Sequence, residues 1–156
     1  MALPTALRDS PPGTRQQTVA QALCTSSGGA TARTYGAATV QTGDADWSRW
    51  PMTLTDVSIV GPGRHTLPLR PDERSFLHVV HGTLSFGDRS HEAGEVLWFR
   101  PHAGDRAAEL RSVSGARAIH FSAPPIDEPI VVRGPFVMGS DTEIRQAFAD
   151  LQAGRA

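Results

Sequence analysis

Residues 76–105 read FLHVVHGTLSFGDRSHEAGEVLWFRPHAGD, and the way their apolar runs are cut short decides the fold. Val, Leu, Phe and Trp come in bursts at 75–80, 83–86 and 96–100, each too brief for a helix and each bounded by Gly, Asp or Pro, as half-buried strands are. Gly82 and the Gly87–Asp88 pair supply the backbone freedom that tight reversals need. The same rhythm runs outward in both directions, through 35–41, 54–60 and 65–69 on one side and 107–113 and 117–122 on the other. Short strands separated by turn signals at roughly eight-to-twelve-residue intervals predict an all-β sandwich or barrel.

Beyond the strands the period changes. Ser140 followed by Glu143 forms a capping box, and Ile144, Ala147, Phe148 and Leu151 recur at helical spacing until Gly154 ends the pattern. That predicts one amphipathic C-terminal helix, docked by its apolar stripe. At the opposite end, residues 1–30 are rich in Ala, Ser, Thr, Gly, Pro and Gln and read as a flexible N-terminal extension, which leaves 31–156 as the folded domain. A chain of 156 residues suffices for one core without disulfides or metal. Lys plus Arg number 15 against 16 Asp plus Glu, so no net field gathers nucleic acid or an anionic membrane. The lone Cys24 excludes an internal disulfide framework, and no apolar run suits a signal peptide or a membrane span. A cytoplasmic protein is the expectation.

Two stretches carry a family likeness. Within 76–105, a strand ending at a glycine, a short hairpin, an Ala-Gly-Glu turn, an apolar strand, a proline and a Gly-Asp turn follow in the order that resembles the central part of a cupin. Residues 128–155 read EPIVVRGPFVMGSDTEIRQAFADLQAGR. Glu128-Pro129, then Gly134-Pro135-Phe136-Val137-Met138, an acidic turn and a helix ending Gln152-Ala153-Gly154-Arg155 resemble the C-terminal end of the pirin family. The resemblance implies a double-stranded β-helix, a jelly-roll barrel closed by a C-terminal α-helix, over about 34–156. It is similar to the C-terminal cupin alone, whereas pirins commonly carry two.

The resemblance also frames the metal question. Metal-binding cupins point two histidines, a glutamate and a third histidine into the barrel, a donor set that suits Fe, Mn, Ni or Zn. Counted from Gly82, the glutamate position holds Ser75 and the paired histidines fall in 68–71, which contains none; counted from Gly104, the third falls at Ala107. No metal and no other cofactor are expected on that count.

His120, in the run Ala-Ile-His-Phe-Ser, belongs to a strand that should be core, where an unpaired imidazole is costly. It is the leading catalytic candidate, for a hydrogen bond or proton transfer to substrate, with His65 the second; the alternative is a satisfied or outward-facing ring. With Ser75 inward, period two carries Leu77 and Val79 to the same face, Leu97 and Phe99 line the neighbouring strand, and Trp50 reaches the mouth, so these six are the candidate substrate-binding residues. Trp47 belongs to the same aromatic set. Alternation sends His78 and His81 to opposite faces, and a trio of His65, His102 and His120 needs a coincidence of register. His91 lies in a polar turn. Glu109 and Arg111 share a strand face, as a pocket ion pair or a solvated surface.

Three functions compete. The first is a metal-independent enzyme of secondary metabolism, a cyclase or isomerase including the four-plus-two type, that holds a largely apolar small molecule in the barrel. The second is a non-catalytic interaction or regulatory module whose outer face, carrying Phe76, His78 and Val80, is covered by a partner or by a second copy in a homodimer. The third, an iron-dependent flavonol dioxygenase, follows from the resemblance but needs the ligand positions that are empty here.

Overall fold

The computed structural model describes residues 23–36, 50–100, 103–104 and 106–154. They fall in two compact units, a β-body ending at Pro125 and a C-terminal unit beginning at Ile126. The body comprises β1 (Leu23–Ser27), β2 (Ala30–Gly36), β3 (Thr53–Ile59), β4 (Gly63–Leu69), β5 (Arg74–Phe86), β6 (Arg89–Glu92), β7 (Val96–Phe99), β8 (Arg106–Ser112) and β9 (Ala116–Ala123). All pair antiparallel in one sheet of order β1-β2-β3-β9-β5-β8-β4, with β6 and β7 also on β5, rolled into a nearly closed barrel.

β5 makes the roll. Its first part pairs with β9 and β7 in the larger layer, its last residues pair with β6 and β8 in the smaller one, and the register shifts between Val79 and His81. Next to that bulge Gly82 takes φ +74 so close to the neighbouring chain that a Cβ would sit 2.2 Å from the Gly115 carbonyl oxygen. The sequence suggests two strands and a reversal at Gly82; the chain instead runs on and turns the corner between layers, a common use of a bulge and a glycine. The bulge also brings His78 and His81 to the outside, not to opposite faces: His78 pairs with Ile119 and His81 is exposed.

The folded body starts earlier than residue 31. Gly28 and Gly29, at φ +58 and +77, form the two-residue turn of a hairpin that pairs Ser27 with Ala30. The polar composition of Cys24 to Ser27 disguises an edge strand, which has few apolar neighbours to meet. Of the strand expected at 35–41, Tyr35 and Gly36 end β2 and the rest lies outside the described residues, as do all of residues 1–22 and 37–49.

Alternation along the strands gives the larger layer an inner face of cross-strand rows. Ala32, Val57, Ala118 and Val79 form one; Thr34, Thr55, His120, Leu77 and Leu97 the next; Gly36, Thr53, Ser122, Ser75 and Phe99 the third. Leu67, Leu69, Leu84, Ala108 and Leu110, with Ala30, Ile59 and Ala116, complete the core. Burying each such leucine stabilises the fold by about 1.5–3 kcal/mol.

In the C-terminal unit, β10 (Val131–Arg133) and β11 (Phe136–Met138) form a hairpin ahead of α1 (Asp141–Gln152). The capping box is present, with Ser140 Oγ accepting from the Glu143 amide at 3.3 Å and Glu143 Oε2 accepting from the Gly139 amide at 2.7 Å. Of the apolar stripe, Ile144 is buried, Phe148 meets Phe136 edge-on at 5.0 Å, and Leu151 is half exposed. No described helix is long and apolar enough to cross a membrane.

Candidate functional site

A sheet with β1 and β4 at its ends rolls into a barrel with a seam. One end of the seam is pinned: the Arg64 amide donates to Gly28 O at 2.8 Å and the Val60 amide to Gly29 O at 3.1 Å. Gly63 lies beneath that turn, where a Cβ would fall 2.8 Å from Gly28 O, so the pin depends on bare backbone. The Arg64 amide points across the seam, and period two turns the backbone of Thr66 and Pro68 the same way. Pro68 has no N–H to offer a pairing strand there.

Away from the pin, residues of both seam edges surround a cavity of about 390 Å³. Its larger wall carries Thr34, Thr53, Thr55, His120 and Ser122, its smaller wall His65, Thr66 and Leu67, and Arg70 and Glu73 also line it. The volume falls within the range of small-molecule sites and would hold about a dozen waters. Arg70 and Glu73 engage each other at 3.3 Å, and among the described residues no other Asp, Glu, Lys or Arg lines the cavity.

His120 is 3% exposed, and its Nε2 is buried without a hydrogen-bond partner among the described residues. Its cross-strand neighbours explain this: Leu77 offers nothing, and the Thr55 hydroxyl bonds that of Thr34 at 3.2 Å. Phe99 packs edge-on to the imidazole, ring centres 6.0 Å apart, and Phe86 packs edge-on to Phe99 at 5.6 Å. Burial pushes the His120 imidazole down to about 4, so the ring is neutral near pH 7. A buried polar atom left unanswered costs about 1–3 kcal/mol, which marks Nε2 as a place for a ligand or water. Partial burial also lowers His65, which stands beside Leu110 on the opposite wall.

The two candidate catalytic histidines therefore share one cavity. The candidate substrate-binding residues do not line it. Ser75, Leu77, Val79 and Leu97 face inward but are buried in packed core, Phe99 braces His120, and the indole N–H of Trp50 donates to Pro124 O at 3.0 Å, tying the entry of β3 to the exit of β9. The leucines fill the space they face, and the opening is left where the inner residues include Thr, Ser and Ala, so that hydroxyls and apolar groups share its walls. Thr53-x-Thr55 and His120-x-Ser122 carry that signal at period two, legible only once the inner parity of β3 and β9 is known.

The structure also shifts the register of the metal positions. Pro68 and Ala107 pair on the outward face, and Leu67, Leu69 and Ala108 face inward with Ser75. None of these inner side chains is an imidazole or a carboxylate, and no three His, Cys, Asp or Glu side chains converge among the described residues. This donor set does not fit a metal ion at the cupin position. His91 pairs with Glu95 at 3.3 Å, Arg111 with Glu109 beside a surface depression, and Trp47 and His102 lie outside the described residues.

Residues 54–156 match the Pirin C-terminal cupin domain. A pirin-like protein of Solanum lycopersicum is 30% identical over 112 residues, which cover 70% of this chain and 38% of that one. A Vibrio cholerae protein with the provisional name quercetin 2,3-dioxygenase is 37% identical over 104 residues, covering 67% and 36%. A solved structure of quercetin 2,3-dioxygenase from Acinetobacter baumannii shares the fold with a TM-score of 0.67 at 23% identity, over 81% of this chain and 44% of that one. The chain thus spans little more than a third of the length of these curated relatives.

Proposed function

The chain belongs to the pirin family through its C-terminal cupin domain, and from that premise we propose that it holds a small hydrogen-bonding molecule in the seam cavity and transforms it without a metal, as a cyclase or isomerase. The observation that carries the reading is His120, which is among the residues lining a 390 Å³ cavity and whose Nε2 is buried and unpartnered among the described residues. Enclosure holds a flexible molecule in a reactive shape, and fixed neutral dipoles such as the threonine hydroxyls stabilise charge as it develops. The walls favour a ligand with hydroxyl or carbonyl groups over a wholly apolar one, and intermediates of secondary metabolism bear many of both. The names of relatives point to flavonol oxygenation, but the inner residues Leu67, Leu69, Ser75 and Ala108 supply no ligand set for a metal, so no step of this reading passes through one. A panel of polyhydroxylated and carbonyl compounds, screened by NMR on the His120 ring, tests the proposal. A compound that shifts this resonance and fails to bind a folded His120→Phe variant is the expected result; a panel that leaves the ring unmoved refutes it.

A second reading rests on the outer face of the larger layer. Phe76 lies between Trp98 and Phe121, with both ring centres at 4.9 Å, and Trp98 is 73% exposed. An aromatic cluster this open suits docking of a partner or a second copy. It occupies a different face from the cavity, so both readings can hold in one molecule. Sedimentation of wild type against Trp98→Ser tests the homodimer, and identical monomeric behaviour of the two sinks it.

A further inference from the structure

We infer that the two cavity histidines act as a proton-transfer pair on an enolisable carbonyl compound, His65 removing the proton beside the carbonyl while the Nε2–H of His120 holds the carbonyl oxygen. The inference deepens the small-molecule reading above and rests on it.

The placement of the two rings separates their roles. His120 projects from β9 in the larger layer, flanked by Leu77 and braced by Phe99, with its free Nε2 buried. A neutral imidazole held in that way is a poor base toward carbon, because the imidazolium it would form has no counter-charge beside it. It is well suited to polarise an oxygen with a fixed N–H, the part a neutral histidine plays in isomerases that enolise their substrates. His65 projects from β4 across the cavity and is less buried, with Arg70 and Glu73 the charged residues of the same wall. The less buried ring of His65 keeps more access to solvent than His120 does, so His65 is the one that can hold a proton between removal and return. Burial favours the neutral form of both rings, which leaves a lone pair on His65 to accept the proton.

The step balances within the site. The bond from the α-carbon to hydrogen breaks, its electron pair forms the carbon–carbon double bond, and the carbonyl π electrons move to the oxygen held by His120. The proton resides on His65 and returns to the same carbon as the oxygen's electron pair re-forms the carbonyl; where the α-carbon bears a hydroxyl, return to the former carbonyl carbon, with the hydroxyl proton passing to the oxygen held by His120, gives the isomer. No oxidant, reductant or co-reactant is consumed. Thr53 and Ser122, on the row beside His120, are placed to bond hydroxyl groups next to the carbonyl.

Hydroxyacetone and dihydroxyacetone serve as probes, with solvent deuterium incorporation at the α-carbon followed by proton NMR in D₂O. Wild type should accelerate exchange by at least about 100-fold over buffer, the scale of one positioned acid or base. His65→Gln should return exchange to the buffer rate while the probe still shifts the His120 ring, and a folded His120→Phe variant should lose the exchange and no longer show a probe-induced shift of the His65 ring. Nitrogen NMR of the bound state should find the proton of His120 on Nε2. Exchange at the buffer rate with wild type overturns the inference: if the probe still shifts the His120 ring the binding reading survives, and if it does not, that reading is lost for this ligand class as well. Full acceleration by a folded His65→Gln variant overturns it too.

Discussion

On one side of the barrel interior Leu77, Val79, Leu97 and Leu110 close against Phe86 and Phe99; on the other, Thr34, Thr55, His120 and His65 face about 390 Å³ of open space. The same alternation builds both, and a single row, Thr34–Thr55–His120–Leu77–Leu97, passes from the hollow side to the packed one. What differs is the volume of the inner side chain and the way its polar atoms are answered. Leucine and phenylalanine reach far enough to meet across the barrel, and the dispersion contacts they gain keep the void small. Threonine is too short to cross, and the bond between the Thr34 and Thr55 hydroxyls satisfies them without filling the gap. An apolar hollow of this size would be costly as an empty cavity, whereas a hydroxylated one can hold water or a ligand. Stability and chemistry are thus assigned to different ends of the same rows.

The largest expected effect tests that division. Leu77 is fully buried, so Leu77→Ala should cost about 2–5 kcal/mol in urea unfolding, the transfer loss plus the cavity left behind. The equivalent truncation two strands away in the row, Thr55→Ala, removes less volume and borders space that is already open. It should cost about 1 kcal/mol or less. Equal costs for the two would break the comparison, because both sides would then be packed alike.

His120 sits where the halves meet, and its protonation gives the second effect. Its folded value lies near 4 against the ordinary 6.5. Above pH 6.5 the ring is neutral in both the folded and unfolded states. As pH falls from about 6.5 to about 4 the unfolded chain takes up a proton that the native state refuses, so stability falls over that window and levels off below it. The loss specific to His120 should approach about 3 kcal/mol. The measurement is the difference in unfolding free energy between wild type and His120→Phe across this range, which removes the contribution of other groups. A parallel pair of curves would mean that the ring is already answered by polar groups and does not sit in a low-dielectric wall.

The packed half was the more legible in the sequence. Period two with turn signals predicts β3, β4, β7, β8, β9 and both parts of β5 but neither β6, where His91 is expected in a turn, nor the β10–β11 hairpin, and Ser140 with Glu143 predicts the start of α1 from local chemistry alone. Misreadings cluster where local pattern depends on a distant partner. β1 has no apolar stripe because it is an edge, and Gly28–Gly29 was the one sign of its hairpin. Gly82 is equally at home in a reversal and at a bulge, and the choice is made by Gly115 across the sheet. The hollow half was half legible: an isolated histidine in a core strand stood out, and the threonines that form the wall around it did not, since Thr is ordinary on either face of a strand. Period two turns Leu77 and Leu97 inward, yet a residue large enough to line a cavity is also large enough to fill it.

The smallest effect asks whether the hollow half is wet. Thr55→Val keeps the shape of the side chain and removes the hydroxyl that meets Thr34 at 3.2 Å. If water or a polar ligand occupies the cavity, the Thr34 hydroxyl finds a new partner there and the change should cost less than about 1 kcal/mol, most of it the price of a methyl group facing a polar space. Ligand affinity should suffer more than stability, because one wall of the site loses a hydrogen-bonding group while the packed rows are untouched. A variant clearly more stable than wild type, with ligand affinity unchanged, would point the other way: the space beside Thr55 would then be dry, the valine would strengthen an apolar wall, and the hydroxyl pair would be a relic of strand pairing without a part in recognition.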